Sequence, residues 1–242
     1  MRPCHDLAPV VEFLKRHDPA CRSLLNIVTG RGGEPAAWIR ADNPEAPRAV
    51  IARLRMLYCY SPDPHAGRRL LERLPVRWNP RLAAAPEWAC RKIRERGRLT
   101  WQTSTVMYRL ESPAQLRFRP RHRVGPLTPD DAPVIARYWP YGRRSDYILR
   151  RIALGPTAGI RRKDRLAAWA LTHSDGSMGF LHVLEEFRGR DMARSIGAWL
   201  ARRQLAAGIG AFVYIEKKNR ASINMTESLG FRRVGNYYWC GQ

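Results

Sequence analysis

The chain has 242 residues, an apolar fraction of 45% and eight tryptophans, which suits one large or two small folded domains and excludes a disordered chain. Lys and Arg number 43 against 21 Asp and Glu, a formal charge of +22, so polyanions will be attracted non-specifically at low salt and much less at physiological salt. No apolar run nears the roughly 18–20 residues of a membrane span, and the start lacks the apolar core of a signal peptide. The five cysteines (4, 21, 59, 90, 240) are scattered with no Cys-x-x-Cys pair. The pattern predicts neither a disulfide framework nor a zinc site, and a soluble, cytoplasmic, metal-free protein.

Along the chain, Leu7 to His17 has amphipathic spacing for a helix. Leu24 to Val28 and Ala36 to Ile39 read as strands around the turn Gly30-Arg31-Gly32-Gly33. Met56 to Tyr60 is a further strand, stopped by Ser61-Pro62-Asp63-Pro64. Leu70 to Leu74 and Glu87 to Arg96 read as helices, the second ended by Gly97, and Thr100 to Leu110 as a closing strand. Ser112 to Pro126, with three prolines (113, 120, 126) and an arginine cluster, reads as a linker, dividing the chain into domains 1–111 and 127–242.

Thr128-Pro129-Asp130-Asp131 is a helix start resembling a capping box. Pro140 stops that helix, and Asp146 to Ala153 is a second one. Three strands follow, Thr157 to Arg161, Leu166 to Thr172 and Met178 to Leu184, then a helix from Met192 to Leu205 and a strand from Ala211 to Glu216. The third of these strands runs into the helix through a basic, glycine-containing turn. Arg188, Arg190 and Arg194 cluster there around helix N-terminal N–H groups, which favour a bound anion such as a pyrophosphate.

Arg188-Gly189-Arg190-Asp191-Met192-Ala193 resembles the Arg/Gln-x-x-Gly-x-Gly/Ala signature of the GNAT superfamily of acyl-CoA-dependent N-acyltransferases. Asn219-Arg220-Ala221-Ser222 and Leu229-Gly230-Phe231 resemble that family's next helix start and stop. The segments Tyr138-Trp139, Trp169 to Gly179 and Trp239-Cys240 are similar to the glycine N-acyltransferase family. The resemblance implies an α/β fold with a mixed, mostly antiparallel central sheet flanked by helices. It also implies tandem GNAT-like halves, a degenerate one at 1–111 and a catalytic one at 127–242.

The implied activity is transfer of an acetyl or other acyl group from acyl-CoA, as co-substrate, to a small amine or amino acid. Leu181, His182 and Val183 would pair with the pantetheine arm, and one of their N–H groups would stabilise the oxyanion. Arg188, Gly189, Arg190, Asp191, Met192, Ala193 and Arg194 would hold the pyrophosphate, and Asn219 would contact the cofactor beyond the thioester.

Three departures stand out. Asp191 occupies a preferred glycine position, so its carboxylate must be neutralised by Arg188, Arg190 or Arg194. Thr226 replaces the tyrosine that reprotonates the thiolate in many GNAT enzymes, and Ser177 falls where a glutamate base would stand. An alkyl amine of pKa near 10.4 is neutral about once in two thousand molecules at pH 7, so a base or proton relay is required. Glu216, His182 and Asp175 are the candidates, each with a plain structural role in competition. A different class of reading is a basic RNA- or ribosome-associated protein on the same scaffold, without catalysis.

Overall fold

The computed structural model describes residues 2–75, 80–97, 99–139 and 145–241. They form two compact units, one of Met1–Met107, Tyr214–Lys218 and Val234–Gln242, the other of Tyr108–Val213 and Asn219–Arg233.

The first unit contains β1 (Arg2–Pro3), α1 (Ala8–Arg16), α2 (Arg22–Thr29), β2 (Trp38–Ala41), β3 (Val50–Arg53), β4 (Leu57–Tyr60), α3 (Pro64–Glu72), β5 (Leu82–Ala85), α4 (Glu87–Glu95) and most of β6 (Trp101–Leu110). Strands β1 to β4 pair antiparallel in sequence order, and β5 then lies parallel to β4 at Leu57–Leu82. Two apolar clusters cover the two faces of this unit. One is built on Phe13, Leu14, Leu24 and Val50, the other on Ile51, Leu70, Leu82 and Ile93.

The stretch Leu24 to Val28, expected as a strand, is helical. Ser23 to Val28 are all buried, so the run shows no alternation and its length alone is ambiguous. Gly30 then ends α2 in the left-handed conformation, φ +69°. The expected hairpin is therefore a helix followed by a strand. The helix expected at Leu70 to Leu74 begins earlier, at Pro64, where the Asp63 carboxylate accepts from the His65 N–H at 2.8 Å.

The cysteines also depart from expectation. Cys90 of α4 and Cys240 form a disulfide across 150 residues of sequence. Spacing cannot reveal such a pair, because packing of elements far apart in the chain brings it together.

The second unit contains α5 (Ala132–Arg137), α6 (Ser145–Leu154), β7 (Ala158–Arg162), β8 (Arg165–Thr172), β9 (Met178–Val183), α7 (Met192–Ala206), the start of β10 (Ala211–Glu216), α8 (Arg220–Ser228) and the start of β11 (Arg232–Gly241). The capping box opens a 3₁₀ turn ahead of α5: the Thr128 N–H donates to Asp131 Oδ2 at 2.7 Å. The expected stop at Pro140 lies outside the described residues. Strands β7, β8 and β9 pair antiparallel, and β10 is parallel to β9 at Val213–Met178. The core of this unit gathers Leu127, Ile135, Ile148, Trp169 and Leu171.

Residues 112–126, expected as a linker, are part of this second unit. The Arg117 N–H donates to Leu229 O at 3.1 Å, Phe118 is buried, and Gly125 bridges to Gly159. Gly230 shows how closely this segment packs. A Cβ there would stand 2.2 Å from Gln115 O, and its φ is +99°. Proline-rich composition marks irregular backbone, but irregular backbone can pack as tightly as a strand.

The two units repeat one order of elements. Two helices precede a three-stranded antiparallel meander, a helix crosses to a parallel strand, and a further helix and strand follow. The sheet is mostly antiparallel, with parallel pairings at these two crossovers, which is the mixed α/β architecture expected.

Candidate active site

Leu181, His182 and Val183, expected along the pantetheine arm, lie on β9. Trp169 of β8 stands opposite His182 and Leu171 opposite Gly179, so Ala170 faces both Phe180 and Leu181. The extra residue is a β-bulge, and Phe180 takes a positive φ of +47° to form it. A bulky residue in that region is uncommon and is held there by its surroundings. Phe180 packs edge-on against Trp139 at 4.6 Å and Trp169 at 6.2 Å.

After β9 the chain makes one 3₁₀ turn (Glu185–Phe187) and enters the basic bend. Gly189 (φ +73°) and Asp191 (φ +57°) are both left-handed, and α7 starts at Met192 with no side-chain cap. Alternation of left- and right-handed residues turns successive N–H groups to one side, forming a cradle for anions. Among the described residues, the N–H groups of 189 to 194 have no hydrogen-bond acceptor from the protein. Their positive ends are therefore open to a ligand at the helix N-terminus.

The Asp191 carboxylate is turned aside and neutralised. Arg121 Nη1 reaches its Oδ2 at 2.9 Å, and Arg194 Nη1 its Oδ1 at 3.4 Å. Arg194 also lies over the Phe118 ring, 4.6 Å from its centroid. His122 closes the other side of the bend: its Nε2 is 2.5 Å from Arg190 O, and Arg162 Nη2 is 2.6 Å from its Nδ1. An arginine can only donate, so Nδ1 accepts and Nε2–H donates. Arg121 and His122 sit in the segment expected to be a linker, so sequence reading missed both.

The expected base candidates are spread apart. Glu216 lies in the first unit and pairs with Lys218 at 3.1 Å. Asp175 is buried in the β8–β9 turn and accepts from the Ser177 N–H at 3.0 Å and the Ser177 hydroxyl at 2.6 Å, an Asx turn that ties the two residues together. His182 stacks on Trp169 and meets Tyr138 at a tilt, with both centroids at 4.7 Å, the three rings forming one cluster. Burial, and secondly the charge of Arg188, push its pKa below the ordinary histidine value. Leu181 and Val183 flank it on the half-buried strand.

Asn219 caps α8 by accepting from the Ser222 N–H at 3.1 Å, which leaves its amide NH₂ available. Thr226 is buried inside α8. Among the described residues, no group of three or more His, Cys, Asp or Glu side chains could hold a metal ion. No helix there is long and apolar enough to cross a membrane.

The bulged strand, the basic bend and the long helix crossing to a parallel strand belong to a fold that this chain shares with solved structures of low sequence identity. The chain is similar to an acetyltransferase of the GNAT family from Colwellia psychrerythraea, at 11% identity and a TM-score of 0.56, covering 99% of this chain and 98% of that one. It is also similar to a GCN5-related N-acetyltransferase-like protein from Streptococcus suis, at 15% identity and 0.59, covering 98% and 99%. A Drosophila protein shares the fold more fully, with a TM-score of 0.80 at 16% identity, covering 99% and 97%. Residues 157–240 match the family model described as FR47-like protein. No curated protein matches the sequence. The narrower likeness to glycine N-acyltransferases finds no support in these matches.

Proposed function

We infer that the second unit binds acyl-CoA at the 188–194 bend and transfers its acyl group to the amine of a small molecule or amino acid. One observation carries this reading. The N–H groups of 189 to 194 converge at the start of α7 without protein acceptors, beside a bulged strand in a GNAT fold. Their partial charges and the nearby arginines suit a pyrophosphate, and each charge-assisted hydrogen bond contributes about 1.5–3 kcal/mol.

The first unit supports the same reading by contrast. Its corresponding helix, α3, has the Asp63 carboxylate on the His65 N–H and a proline, which has no N–H, at its first position. Its own sequence thus fills the place where a phosphate would bind. The proposal therefore makes the N-terminal half a degenerate GNAT-like partner and the C-terminal half the catalytic one.

In this reading acetyl-CoA is the donor, and the strand residues Leu181 to Val183 lie along its pantetheine arm. A backbone N–H near the bulge polarises the thioester carbonyl. The amine nitrogen forms the new C–N bond, the C–S bond breaks, and free thiol is released. Asn219 offers its amide group to the cofactor. The high positive charge adds non-specific attraction to polyanions, and the compartment proposed is the cytoplasm.

Thermal unfolding with and without acetyl-CoA tests the reading. Ligand at 100 times its Kd stabilises by about 2.7 kcal/mol and should raise Tm clearly. The double substitution Arg190→Ala and Arg194→Ala should remove most of that rise while the protein stays folded. No shift, combined with tight and salt-sensitive RNA binding, would instead favour the non-catalytic polyanion reading.

A further inference from the structure

Arg121 and His122 meet the basic bend side by side, and they act on different parts of it. Arg121 pairs with the Asp191 carboxylate at 2.9 Å. His122 meets the backbone instead: its Nε2 lies 2.5 Å from Arg190 O. Its other nitrogen, Nδ1, is 2.6 Å from Nη2 of Arg162, the last residue of β7. A carbonyl oxygen can only accept and a guanidinium can only donate, so both ends require the same tautomer, with the proton on Nε2. Both ring nitrogens are thus engaged, and His122 acts on the bend through the Arg190 carbonyl.

That carbonyl and the N–H of Asp191 belong to one trans peptide unit, so they point in opposite directions. Holding the oxygen on the His122 side therefore directs the Asp191 N–H to the other side of the bend. The same orientation goes with the left-handed φ of Asp191, +57°, which is unfavourable for a residue with a side chain. Turning the peptide plane over would relax Asp191 to a negative φ and put the carbonyl where the N–H had been. The hydrogen bond from His122 opposes that turn. Among the described residues the Asp191 N–H has no protein acceptor, and Arg188, Gly189 and Arg190 are all exposed, so the bend is open to a ligand.

We propose that His122, locked by Arg162, is a positioning residue for the diphosphate of acyl-CoA: its hold on Arg190 O keeps the Asp191 N–H turned into the anion cradle. This rests on the acyl-CoA reading above. Donors already aimed at the ligand bind it more tightly, because no backbone has to rearrange on binding. With the plane turned over, a carbonyl oxygen would face the phosphate and repel it. His122 thus sets the affinity for the donor and takes no part in the proton transfers or in the C–N and C–S bond changes.

Calorimetric titration with acetyl-CoA tests the assignment with a matched pair of variants. A glutamine side chain can donate its amide N–H to Arg190 O while its oxygen accepts from Arg162. Methionine has nearly the same shape and no donor. His122→Gln should keep Kd within about threefold of the unmodified protein, and His122→Met should raise it about tenfold. In an Asp191→Gly background the left-handed φ is no longer unfavourable, so His122→Met should raise Kd by less than about threefold. Glutamine and methionine variants with the same Kd, weakened or not, overturn the assignment, since packing alone would then explain the result. Should the methionine variant not fold, His122→Ala carries the same comparison, and a Kd equal to that of the glutamine variant overturns the assignment equally. An unmodified protein that gives no heat of binding with acetyl-CoA overturns the acyl-CoA reading itself, a distinct failure.

Discussion

Arg121 Nη1 lies 2.9 Å from Asp191 Oδ2, and the backbone N–H of the same arginine donates to Ser195 Oγ at 3.1 Å. One residue thus neutralises the single acidic group of the bend and holds its own segment on the first turn of α7. On the proposed reading, that pairing, with the Arg194 contact, offsets the repulsion between the Asp191 carboxylate and a bound pyrophosphate.

Arg121→Ala should therefore weaken acetyl-CoA binding more than loss of one exposed cation would. The arginine is largely exposed, so the expected effect is modest, about fivefold in Kd at low salt. Asp191→Gly, which keeps the left-handed backbone accessible, should bind as well as or better than the unmodified protein. In that background Arg121→Ala should cost much less. Calorimetric titrations of the four proteins form a double-mutant cycle, and additive effects would contradict the coupling.

Gly179→Ala should destabilise the fold, because its Cβ would meet the His173 ring at 1.8 Å. Overpacking of this kind costs about 1–3 kcal/mol. Adding His173→Ala opens the space, so the double variant should be less destabilised than the sum of the two single ones. Denaturant unfolding of all three variants reads this directly, and strict additivity would contradict the clash.

Stability should fall as pH drops below neutrality. His173 and His182 both have native pKa values pushed below the ordinary histidine value, by burial first in each case. The unfolded chain protonates near pH 6.5 while the native one resists, so the unfolded state binds more protons below that pH. Unfolding free energy is therefore full above about pH 6.5 and is lost as pH falls toward the native pKa values. Tm measured from pH 7.5 to 5.5 should decline, and His173→Gln and His182→Gln should each flatten the slope. Slopes equal to that of the unmodified protein would contradict the assignment.

Features written in neighbouring residues were legible before any coordinates. The capping box at Thr128–Asp131 forms, α7 starts within a residue of expectation, and Gly230 ends the region of α8. The bend at 188–194 is legible for the same reason: turn, glycine, arginines and helix start lie within one short segment. Leu24 to Val28 misled because a fully buried helical turn and a buried strand share one composition. β5, Leu82–Ala85, gave no signal, since alanines carry neither strand propensity nor alternation.

Other contacts were hidden by distance along the chain. Arg121 meets Asp191 across 70 positions, Tyr147 meets His173 across 26, and Cys90 meets Cys240 across 150. Local backbone preference, hydrogen-bond capping and charge act over a few residues, so order alone specifies the helix starts, the basic bend and the overall alternation of elements. Which side chains converge on the bend and the bulge depends on how sheets and helices pack. That packing is governed by burial of apolar surface throughout each unit, a cooperative property that no short stretch of chain contains.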